Sequence, residues 1–534
     1  MSEKTTQEEA LYVRKSSGLT KPFGSFEAFS IAMASLGLAP VFAVFFAVLY
    51  ILPGTNFLIA TIIGGVFGIF VTAIYIYLST KMPRSGGEYV YSSRNLGVFW
   101  GILAGLSRLV VTAIYGMSAV WFVSLSLAPT LSTTGFLLKN NTLIRLATEI
   151  STPINTIITG ELVLVIFAVL FIVLKPKTNF RILEGLVILQ IAGILTTIIT
   201  LFVMGPVRFR NEFNLLGSSL GLGENYYQTV LSAGIKNGFV SGFNLYQTVL
   251  YSFFVFAFFN IWIVAPSYIA GEFTRSTKTI TRGTWAADGT AVGLALLLIL
   301  SFMYAVNMNF LNASVGLAST GNPVWKISYI FPGLTSYPLL ASRGNIFAIV
   351  LLDAGSISWY LIWIVLDFYI FSRYFLAMSI DRLLPKAVSN ITKRTSSPYV
   401  GVIALTVISM IIVPVYEYTQ MSFYGPLLYL GFVMPIITIL LSSISGAILA
   451  YRNKDFKMTV VGILSALISI SALMILSLLP TIGVAAGTLP SLVSIVILVA
   501  LIIGSAIWYL SLRWYYKKKY GIDLRMIFKS LPPE

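Results

Sequence analysis

The chain contains twelve apolar segments, each of them long enough to cross a membrane. A helix needs about 20 apolar residues to span the hydrocarbon core, where no water satisfies free backbone groups. We therefore predict an all-α polytopic membrane protein with twelve transmembrane helices, called spans 1 to 12. The predicted spans are 24–51, 56–79, 98–128, 154–174, 180–204, 246–272, 283–306, 344–374, 398–418, 422–451, 457–480 and 488–516.

Composition excludes several kinds of chemistry. Of the 534 residues, 57% are hydrophobic and 10% are charged, which is typical of a protein embedded in lipid. The chain has no cysteine and no histidine, so disulfides, thiolate catalysis and histidine metal sites are excluded. We expect no metal and no cofactor, apart from a sodium ion or a proton as a bound coupling ion.

The net charge of +16 is distributed along the chain in the way expected of a membrane protein. Lysine and arginine concentrate in both termini and in alternate loops, whereas the opposite loops are longer and hold few of them. The positive-inside rule then places both termini in the cytoplasm, and the excess charge gives no reason to expect a nucleic-acid partner. The opposite loops, after spans 3, 5 and 7, are long enough to contain short surface helices.

Span 6 is predicted to be interrupted. Helical regularity is lost around Phe258, Phe259 and Asn260, and a helix is expected to resume through residues 261–270. A break survives in lipid only where it is buried in protein or lines a cavity. The two half-helices aim opposite dipole ends at that cavity, which suits a small ligand carrying both charges. A continuous helix with Asn260 facing a neighbour is the alternative.

Span 1 repeats this pattern in the opposite direction. Its apolar run contains the stretch 34–40, which is rich in small residues and ends at Pro40, where the proline removes one backbone hydrogen bond. Two interrupted helices at matching positions of opposite topology indicate an inverted-repeat transporter, although an ordinary proline kink in span 1 is the alternative.

The predicted organisation is a five-plus-five inverted repeat with two added helices. The expected units are a cytoplasmic tail, a first repeat, a second repeat, spans 11 and 12, and a second cytoplasmic tail. Their bounds are 1–23, 24–204, 246–451, 457–516 and 517–534.

Three patches resemble the amino acid–polyamine–organocation transporter family. Residues 82–97 are similar to its loop pattern of Pro, Gly-Gly, Tyr and Leu-Gly after span 2. Residues 271–283 resemble its exit segment after span 6, although both of the family's prolines are missing. Residues 372–385 are close to its Ser-Arg, Ala-Met, Asp-Gly, Leu-Pro signature after span 8. The resemblance covers roughly residues 18–451, and spans 11 and 12 fit by number alone.

The resemblance implies an amino acid permease whose substrate lies between the breaks of spans 1 and 6, walled by spans 3 and 8. In the family, the substrate carboxylate meets free N–H groups at the break of span 1. The aromatic side chains of span 6 are expected partly to cap the ligand and partly to pack. The predicted substrate-binding residues are Ala34, Ser35, Leu36, Gly37, Phe256, Phe258, Phe259, Asn260 and Trp262.

An inner gate is predicted at Gly86, Gly87 and Glu272. The two glycines permit a tight turn at the inner mouth. Charged residues near Glu272 in the sequence, and others just after span 8, can pair there or remain solvated. Those residues are Arg275, Arg282, Arg373, Asp381 and Arg382.

Cation coupling is assigned to Asp367, Gln190 and Arg108. Gln190 stands where many proton-coupled relatives carry a lysine, and it cannot titrate. A carboxylate inside a membrane marks a functional site, so Asp367 is expected to carry the coupling, with Arg108 as its partner. If Arg108 pairs with Asp367, the carboxylate stays ionised and sodium is the expected coupling ion. If the two side chains point apart, Asp367 is expected to carry a proton. In the third alternative, the Arg108–Asp367 pair only stabilises the scaffold.

The sequence thus predicts a secondary active transporter in the plasma membrane, not an enzyme. It would take up an amino acid or related amine by alternating access, driven by a proton or cation gradient. An uncoupled exchanger of amino acids or polyamines is the near alternative. A channel would need a repeated filter or pore ring, and the sequence contains neither. A membrane enzyme would need a catalytic constellation, and without histidine and cysteine only carboxylates, lysines and hydroxyls remain to build one. No carboxylate falls clearly between the two breaks, which favours neutral substrates over polyamines.

Overall fold

The computed structural model describes residues 19–327, 332–342, 345–392, 394–419, 421–478, 492–521 and 523–529. Within those residues the chain is almost entirely helical, with two isolated backbone bridges and no β-strand. Most of the predicted N-terminal tail, the junction of predicted spans 11 and 12, and the last five residues of the C-terminal tail lie outside the described residues.

Twelve helical spans that are long and apolar enough to cross a membrane lie in this part of the chain, which confirms the predicted fold class. They are Ser25–Ile51, Phe57–Lys81, Val98–Leu137, Pro153–Val173, Pro176–Ser219, Leu245–Tyr268, Ser276–Ala305, Ile346–Ile380, Tyr399–Tyr418, Leu430–Arg452, Phe456–Leu476 and Ile495–Tyr520.

Spans 3, 5, 7 and 8 are longer than predicted, because their helices continue past the predicted boundaries, in spans 5 and 7 through polar residues. Span 5 passes its predicted end through a kink at Gly205, whose φ is 68°, and Pro206 follows. Span 8 includes residues 375–380, which the sequence assigned to the loop behind it. Span 3 consists of the helices Val98–Tyr115, Ser118–Trp121 and Ala128–Leu137, with π-helical residues Phe122–Leu127 between the last two.

Short helices fill the connections between spans. Those after spans 3 and 5 are exposed or partly exposed, as expected of surface helices, whereas those after span 7 are mostly buried. In chain order these helices are Asn141–Ile150, Tyr226–Lys236, Met308–Ser319 and Ser336–Ala341. Elsewhere the connections and the C-terminal segment contain Gly87–Asn95 and the 3₁₀ helices Lys386–Ser389 and Leu524–Lys529.

Span 1 is broken at a single residue. The helices Ser25–Leu36 and Leu38–Val48 meet at Gly37, which has a left-handed conformation with φ 53° and ψ 53°. Glycine adopts this conformation without a side-chain clash. Pro40 lies in the first turn of the second helix, where its missing N–H costs no helical hydrogen bond.

Span 6 is broken at Phe259, as predicted, but a regular α-helix does not resume. The helix Leu245–Phe258 is followed by 3₁₀ helices at Asn260–Tyr268 and Ala270–Glu272. Pro266 in the first of these cannot donate a backbone hydrogen bond, which accounts for the irregular continuation.

Backbone contacts define two ends of the helix bundle. At one end Phe23 pairs with Phe273 and Ser85 with Ile269, so the start of span 1, the end of span 2 and the end of span 6 meet there. We call this end the tail face. At the opposite end, the far face, the Asn244 N–H donates to the carbonyl of Gly54 at 2.8 Å. Spans 1 and 6 therefore run in opposite directions past each other.

Candidate functional site

A cavity of about 420 Å³ lies between spans 1, 3, 6, 8 and 10, next to both breaks. Small-molecule sites in proteins measure roughly 300–1,000 Å³, so a ligand of moderate size fits. Along span 1 the lining residues run from Ser35 to Val48, so the cavity extends from the break towards the far face. It is lined by Ser35, Pro40, Val41, Val44, Ala47, Val48, Arg108, Val111, Thr112, Tyr115, Trp121, Leu125, Phe258, Trp262, Tyr360, Trp363, Leu366, Asp367, Ile370 and Phe432.

Of the nine predicted substrate-binding residues, Ser35, Phe258 and Trp262 line the cavity. The Ser35 hydroxyl is buried and has no hydrogen-bond partner among the described residues. Ala34, Leu36 and Gly37 are not among the lining residues. The indole of Trp363 lies over Gly37 so closely that a Cβ on that glycine would approach its ring to 2.6 Å.

The remaining predicted residues of span 6 pack against other helices. The side chain of Asn260 faces Gly68 of span 2, where an added Cβ would come within 2.6 Å of it. The ring of Phe256 lies 6.2 Å from that of Phe67, and the ring of Phe259 lies 5.8 Å from that of Phe42. Their assignment to substrate binding stays a prediction that this geometry does not favour.

Four aromatic rings form one wall of the cavity, and we call them the aromatic cage. The Tyr115 ring lies 5.6 Å from Trp121, 5.4 Å from Trp262 and 5.7 Å from Trp363, at interplanar angles of 79°, 71° and 90°. Trp121 and Trp363 lie 6.4 Å apart. Of the four, only Trp262 is among the predicted substrate-binding residues.

Helical spacing was the available signal for two of the other three, Tyr115 and Trp363. In span 3, Arg108 and Tyr115 are seven residues apart, which places them on the same helix face. In span 8, Trp363 and Asp367 are four residues apart and also share a face. Both charged residues had been selected, so the aromatic residues one or two turns away were within reach of sequence reasoning.

Arg108 does not pair with Asp367, and this expectation is corrected. Its Nη2 donates to the Glu88 Oε1 at 2.7 Å and to the Thr438 hydroxyl at 3.0 Å. Glu88, which directly follows the predicted gate glycines Gly86 and Gly87, was not predicted as the partner of Arg108. The guanidinium also faces the Trp262 ring, 5.5 Å from its centroid. Its Nε and Nη1 have no hydrogen-bond partner among the described residues.

Asp367 is a nearly unpartnered carboxylate in the cavity wall. Only 5% of the residue is exposed. Among the described residues it accepts one long hydrogen bond, from the Ser118 hydroxyl at 3.5 Å, and forms no ion pair. The expectation that no carboxylate falls clearly between the two breaks is therefore wrong, because Asp367 lines the cavity beside them.

Gln190 of span 5 is fully buried and does not line the cavity. Neither its amide nitrogen nor its oxygen has a hydrogen-bond partner among the described residues. Nothing in its surroundings assigns it a coupling role, which stays a prediction.

The floor of the cavity is closed by a polar cluster around Glu88. Besides Arg108, this carboxylate accepts hydrogen bonds from Tyr75 at 3.1 Å, from Tyr268 at 3.3 Å and from Tyr374. These phenols come from spans 2, 6 and 8, and all of them are buried. Glu88 therefore ties four spans together between the cavity and the tail face.

The predicted gate residues lie just beyond this cluster. The Gly86 N–H donates to the Tyr268 carbonyl at 3.0 Å, and Gly86 has φ 110°. A Cβ at Gly86 would come within 2.7 Å of the Ala377 Cβ, so the backbone approach requires glycine. Glu272 forms a bidentate ion pair with Arg373, whose Nε donates to Oε1 at 2.9 Å and whose Nη2 donates to Oε2 at 3.0 Å.

A second ion pair and the start of span 1 complete the tail-face closure. Arg94 pairs with Asp381 at 2.7 Å, and the Tyr89 hydroxyl donates to Asp381 at 2.6 Å. Burial, followed by the Asp381 charge, raises the pKa of Tyr89 well above its ordinary value, so the phenol remains a donor. Phe23 exchanges backbone hydrogen bonds with Glu272 and Thr274.

Comparison with known proteins decides the family. The amino acid permease family model matches residues 23–510, which is most of the chain. The chain belongs to the amino acid permease family. It is also similar to Uncharacterized protein 399 of Sulfolobus islandicus rod-shaped virus 1, at 27% identity over 317 residues. That match covers 59% of this chain and 62% of the viral protein, whose name states no activity.

In this permease-family chain the cavity combines an apolar aromatic wall with a few unsatisfied polar atoms. Ser35, Arg108 and Trp363 each present a donor without a partner among the described residues, and Asp367 presents an acceptor. A buried polar group without a partner is destabilising, by about 1–3 kcal/mol. Such groups at the wall of a cavity are suited to bind a polar or charged ligand.

Proposed function

We propose that this chain is a secondary active transporter that takes up an amino acid or a related amine by alternating access. The observation that carries the proposal is the cavity beside the breaks of spans 1 and 6, which runs towards the far face and is closed at the tail face. Membership of the permease family supports the same function. The two antiparallel broken spans fit the expected five-plus-five inverted repeat over 24–204 and 246–451.

The arrangement corresponds to one half of a transport cycle. Ligand would enter from the far face, along Val44 and Val48, while the Glu88 cluster and the Glu272–Arg373 pair hold the tail face shut. Release then requires these contacts to separate and the opposite end to close. The positive-inside rule places the tail face in the cytoplasm, so entry from the far face and release at the tail face would be uptake. The plasma membrane is the proposed location.

We further propose that Asp367 is the site of coupling to a proton or cation gradient. An ionised carboxylate in a closed cavity needs a compensating charge, and Arg108 does not supply it because Arg108 is held by Glu88. This favours the alternative in which the two groups act separately. A proton or a sodium ion would then neutralise Asp367 when the empty carrier changes conformation. In an uncoupled exchanger, a second substrate molecule would do so instead.

Counterflow in proteoliposomes tests the function. Purified protein is reconstituted, the vesicles are loaded with the twenty standard amino acids, and entry of trace radiolabelled amino acids is followed. We expect transient accumulation of at least one labelled amino acid above its external concentration. Free equilibration without accumulation would indicate a channel, and no entry for any amino acid would contradict the proposal. Imposed proton and sodium gradients then separate coupled uptake from exchange.

A further inference from the structure

We propose that the C-terminal segment of the chain is a strap that holds the tail face shut and is released when that face opens. The C-terminal strap consists of residues 523–529, which follow span 12 and contain the 3₁₀ helix Leu524–Lys529. This inference rests on the proposed function, because it adds a regulatory element to the same alternating-access cycle. It gives a role to a part of the chain outside the expected inverted repeat.

The strap is packed against the helix bundle on one side only. Leu524 and Phe528 are buried and belong to the main hydrophobic core, whereas Arg525 and Met526 are exposed. The last residues of a chain are ordered only where specific contacts hold them. Here two apolar side chains of the strap make those contacts.

The ring of Phe528 covers an ion pair of the tail-face closure. The guanidinium carbon of Arg94 lies 4.9 Å from the centroid of the Phe528 ring and 5.8 Å from that of the Tyr89 ring. Arg94 pairs with Asp381 at 2.7 Å, and both side chains are buried. An aromatic face attracts the guanidinium, and salt screens a buried ion pair less than an exposed one. Phe528 therefore stabilises the Arg94–Asp381 pair directly.

A second contact joins the end of span 12 to the other side of the closure. The Tyr516 hydroxyl donates to the carbonyl of Arg382 at 3.1 Å. Arg382 directly follows Asp381 at the end of span 8, whereas Arg94 belongs to the helix Gly87–Asn95. The end of span 12 and the strap thus contact both elements that the Arg94–Asp381 pair joins.

Asp523 fixes the turn between span 12 and the strap. Its carboxylate accepts hydrogen bonds from the Arg525 side chain at 2.5 and 2.8 Å and from the Arg525 N–H at 3.0 Å. The side-chain hydrogen bonds lower the pKa of Asp523 to about 2, so the carboxylate stays ionised at neutral pH. The Nε of Arg513, within span 12, lies 3.8 Å from the same carboxylate. These contacts hold the strap beside the end of the span.

Opening of the tail face would separate the partners of the strap. In the proposed cycle, release requires the helix Gly87–Asn95 to move away from the end of span 8, which breaks the Arg94–Asp381 pair. Because Tyr516 belongs to a membrane span, the contact between Phe528 and Arg94 is the one expected to break. A contact made in only one of two states shifts the equilibrium towards that state. The strap therefore favours the closed tail face.

Labelling of a cavity cysteine tests the strap. The chain has no native cysteine, so Thr112→Cys places a single thiol in the cavity lining. A membrane-impermeant thiol reagent is applied from the tail face, in vesicles that present this face outward. Adding Phe528→Ala should raise the reaction rate about three- to thirtyfold, the effect of losing one cation–π contact. Phe528→Trp keeps an aromatic face over Arg94 and should retain the slow rate.

Two controls separate the strap from a general loss of stability. Met526→Ala truncates an exposed side chain of the same short helix and should leave the rate unchanged. Val44→Cys places the single thiol between the break of span 1 and the far face. Adding Phe528→Ala should not make this thiol react faster from the far face, because the population shifts towards the tail-open state. A variant that only loosens the fold would speed labelling from both faces.

The outcomes distinguish the strap from the proposed function. An unchanged rate in Phe528→Ala, an equal rise in Met526→Ala or Phe528→Trp, or faster labelling from both faces would overturn the strap. If the unmodified chain shows counterflow in any of these cases, the transporter stands without it. Absence of counterflow together with the expected labelling would overturn the transporter and keep the strap as the element that holds the tail face shut.

Discussion

Buried charges at the tail-face closure are matched to one another, whereas the carboxylate in the cavity is not. Glu88 pairs with Arg108, Glu272 with Arg373 and Asp381 with Arg94, and each of these side chains is nearly inaccessible to solvent. Asp367, at similar burial, forms no ion pair within the described part of the chain. Removing one member of an ion pair leaves the other as an unpaired buried charge, which destabilises the fold. Removing a charge that had no partner takes this penalty away. The difference supports a structural role for the charges of the closure and the proposed ligand-binding role of the cavity.

The largest effect is expected from breaking a matched pair. Glu88→Gln leaves Arg108 buried without its counter-charge, so we expect a loss of about 3–5 kcal/mol in the free energy of unfolding. Denaturant titration of the purified protein in detergent measures it. The double change Glu88→Gln, Arg108→Gln should recover part of the loss. As a control, Glu149→Gln breaks the exposed pair with Arg145 and should cost less than about 1 kcal/mol. Equal losses in the two single variants would contradict the comparison.

Asp367→Asn should affect transport rather than stability, in contrast to Glu88→Gln. The neutral amide is easier to bury than an unpaired carboxylate, so we expect the melting temperature to stay the same or rise. Gradient-driven accumulation should be lost, while exchange at saturating substrate should persist with weaker apparent affinity. Asp353→Asn is the matched control, because that carboxylate accepts from Thr134 at 2.8 Å and lies outside the cavity lining. Full accumulation by Asp367→Asn would remove the coupling role.

Gly86→Ala should hold the tail face open. The added Cβ would meet Ala377 at 2.7 Å, so the start of the helix Gly87–Asn95 cannot approach span 8 as closely. We expect Thr112→Cys in the cavity to react several times faster with a thiol reagent applied from the tail face. Gly97→Ala is the control, since Gly97 has a similar φ of 111° but nothing within 4 Å of an added Cβ. The two variants share a backbone strain of about 1–3 kcal/mol and differ in the steric contact. Similar labelling in both would exclude the gate.

The smallest effect concerns the aromatic cage. Trp363→Phe retains an aromatic ring but removes the larger indole face and its Nε1 donor, so substrate affinity should fall by about tenfold. Trp359→Phe, one turn earlier in the same span, changes a buried tryptophan that does not line the cavity and should alter affinity less than about twofold. Competition binding measures both. A greater loss for Trp359→Phe would place the ligand elsewhere.

The sequence predicted the twelve spans and both breaks because hydropathy and helix breakers are local properties. It selected Arg108 and Asp367 because charges are rare inside membrane helices. It could not pair them correctly, since Glu88 approaches Arg108 only after the helix Gly87–Asn95 folds back against span 3. Asn260 was assigned to the cavity from its position at the break, but the rotation of the irregular segment directs it towards Gly68. The rotation of an irregular segment and the approach of residues from distant parts of the chain leave no signal in the local sequence.

The most direct measurement is protection of a single cysteine in the cavity. The chain has no native cysteine, so Val44→Cys introduces the one reactive thiol, on the route between the break and the far face. A membrane-impermeant thiol reagent applied from the far face should react with it and block counterflow, and the transported amino acid should slow that reaction. Leu146→Cys, on the surface helix Asn141–Ile150, should react without protection. A Val44→Cys that does not react from the far face, or that no amino acid protects, would contradict the assignment of this cavity as the substrate site.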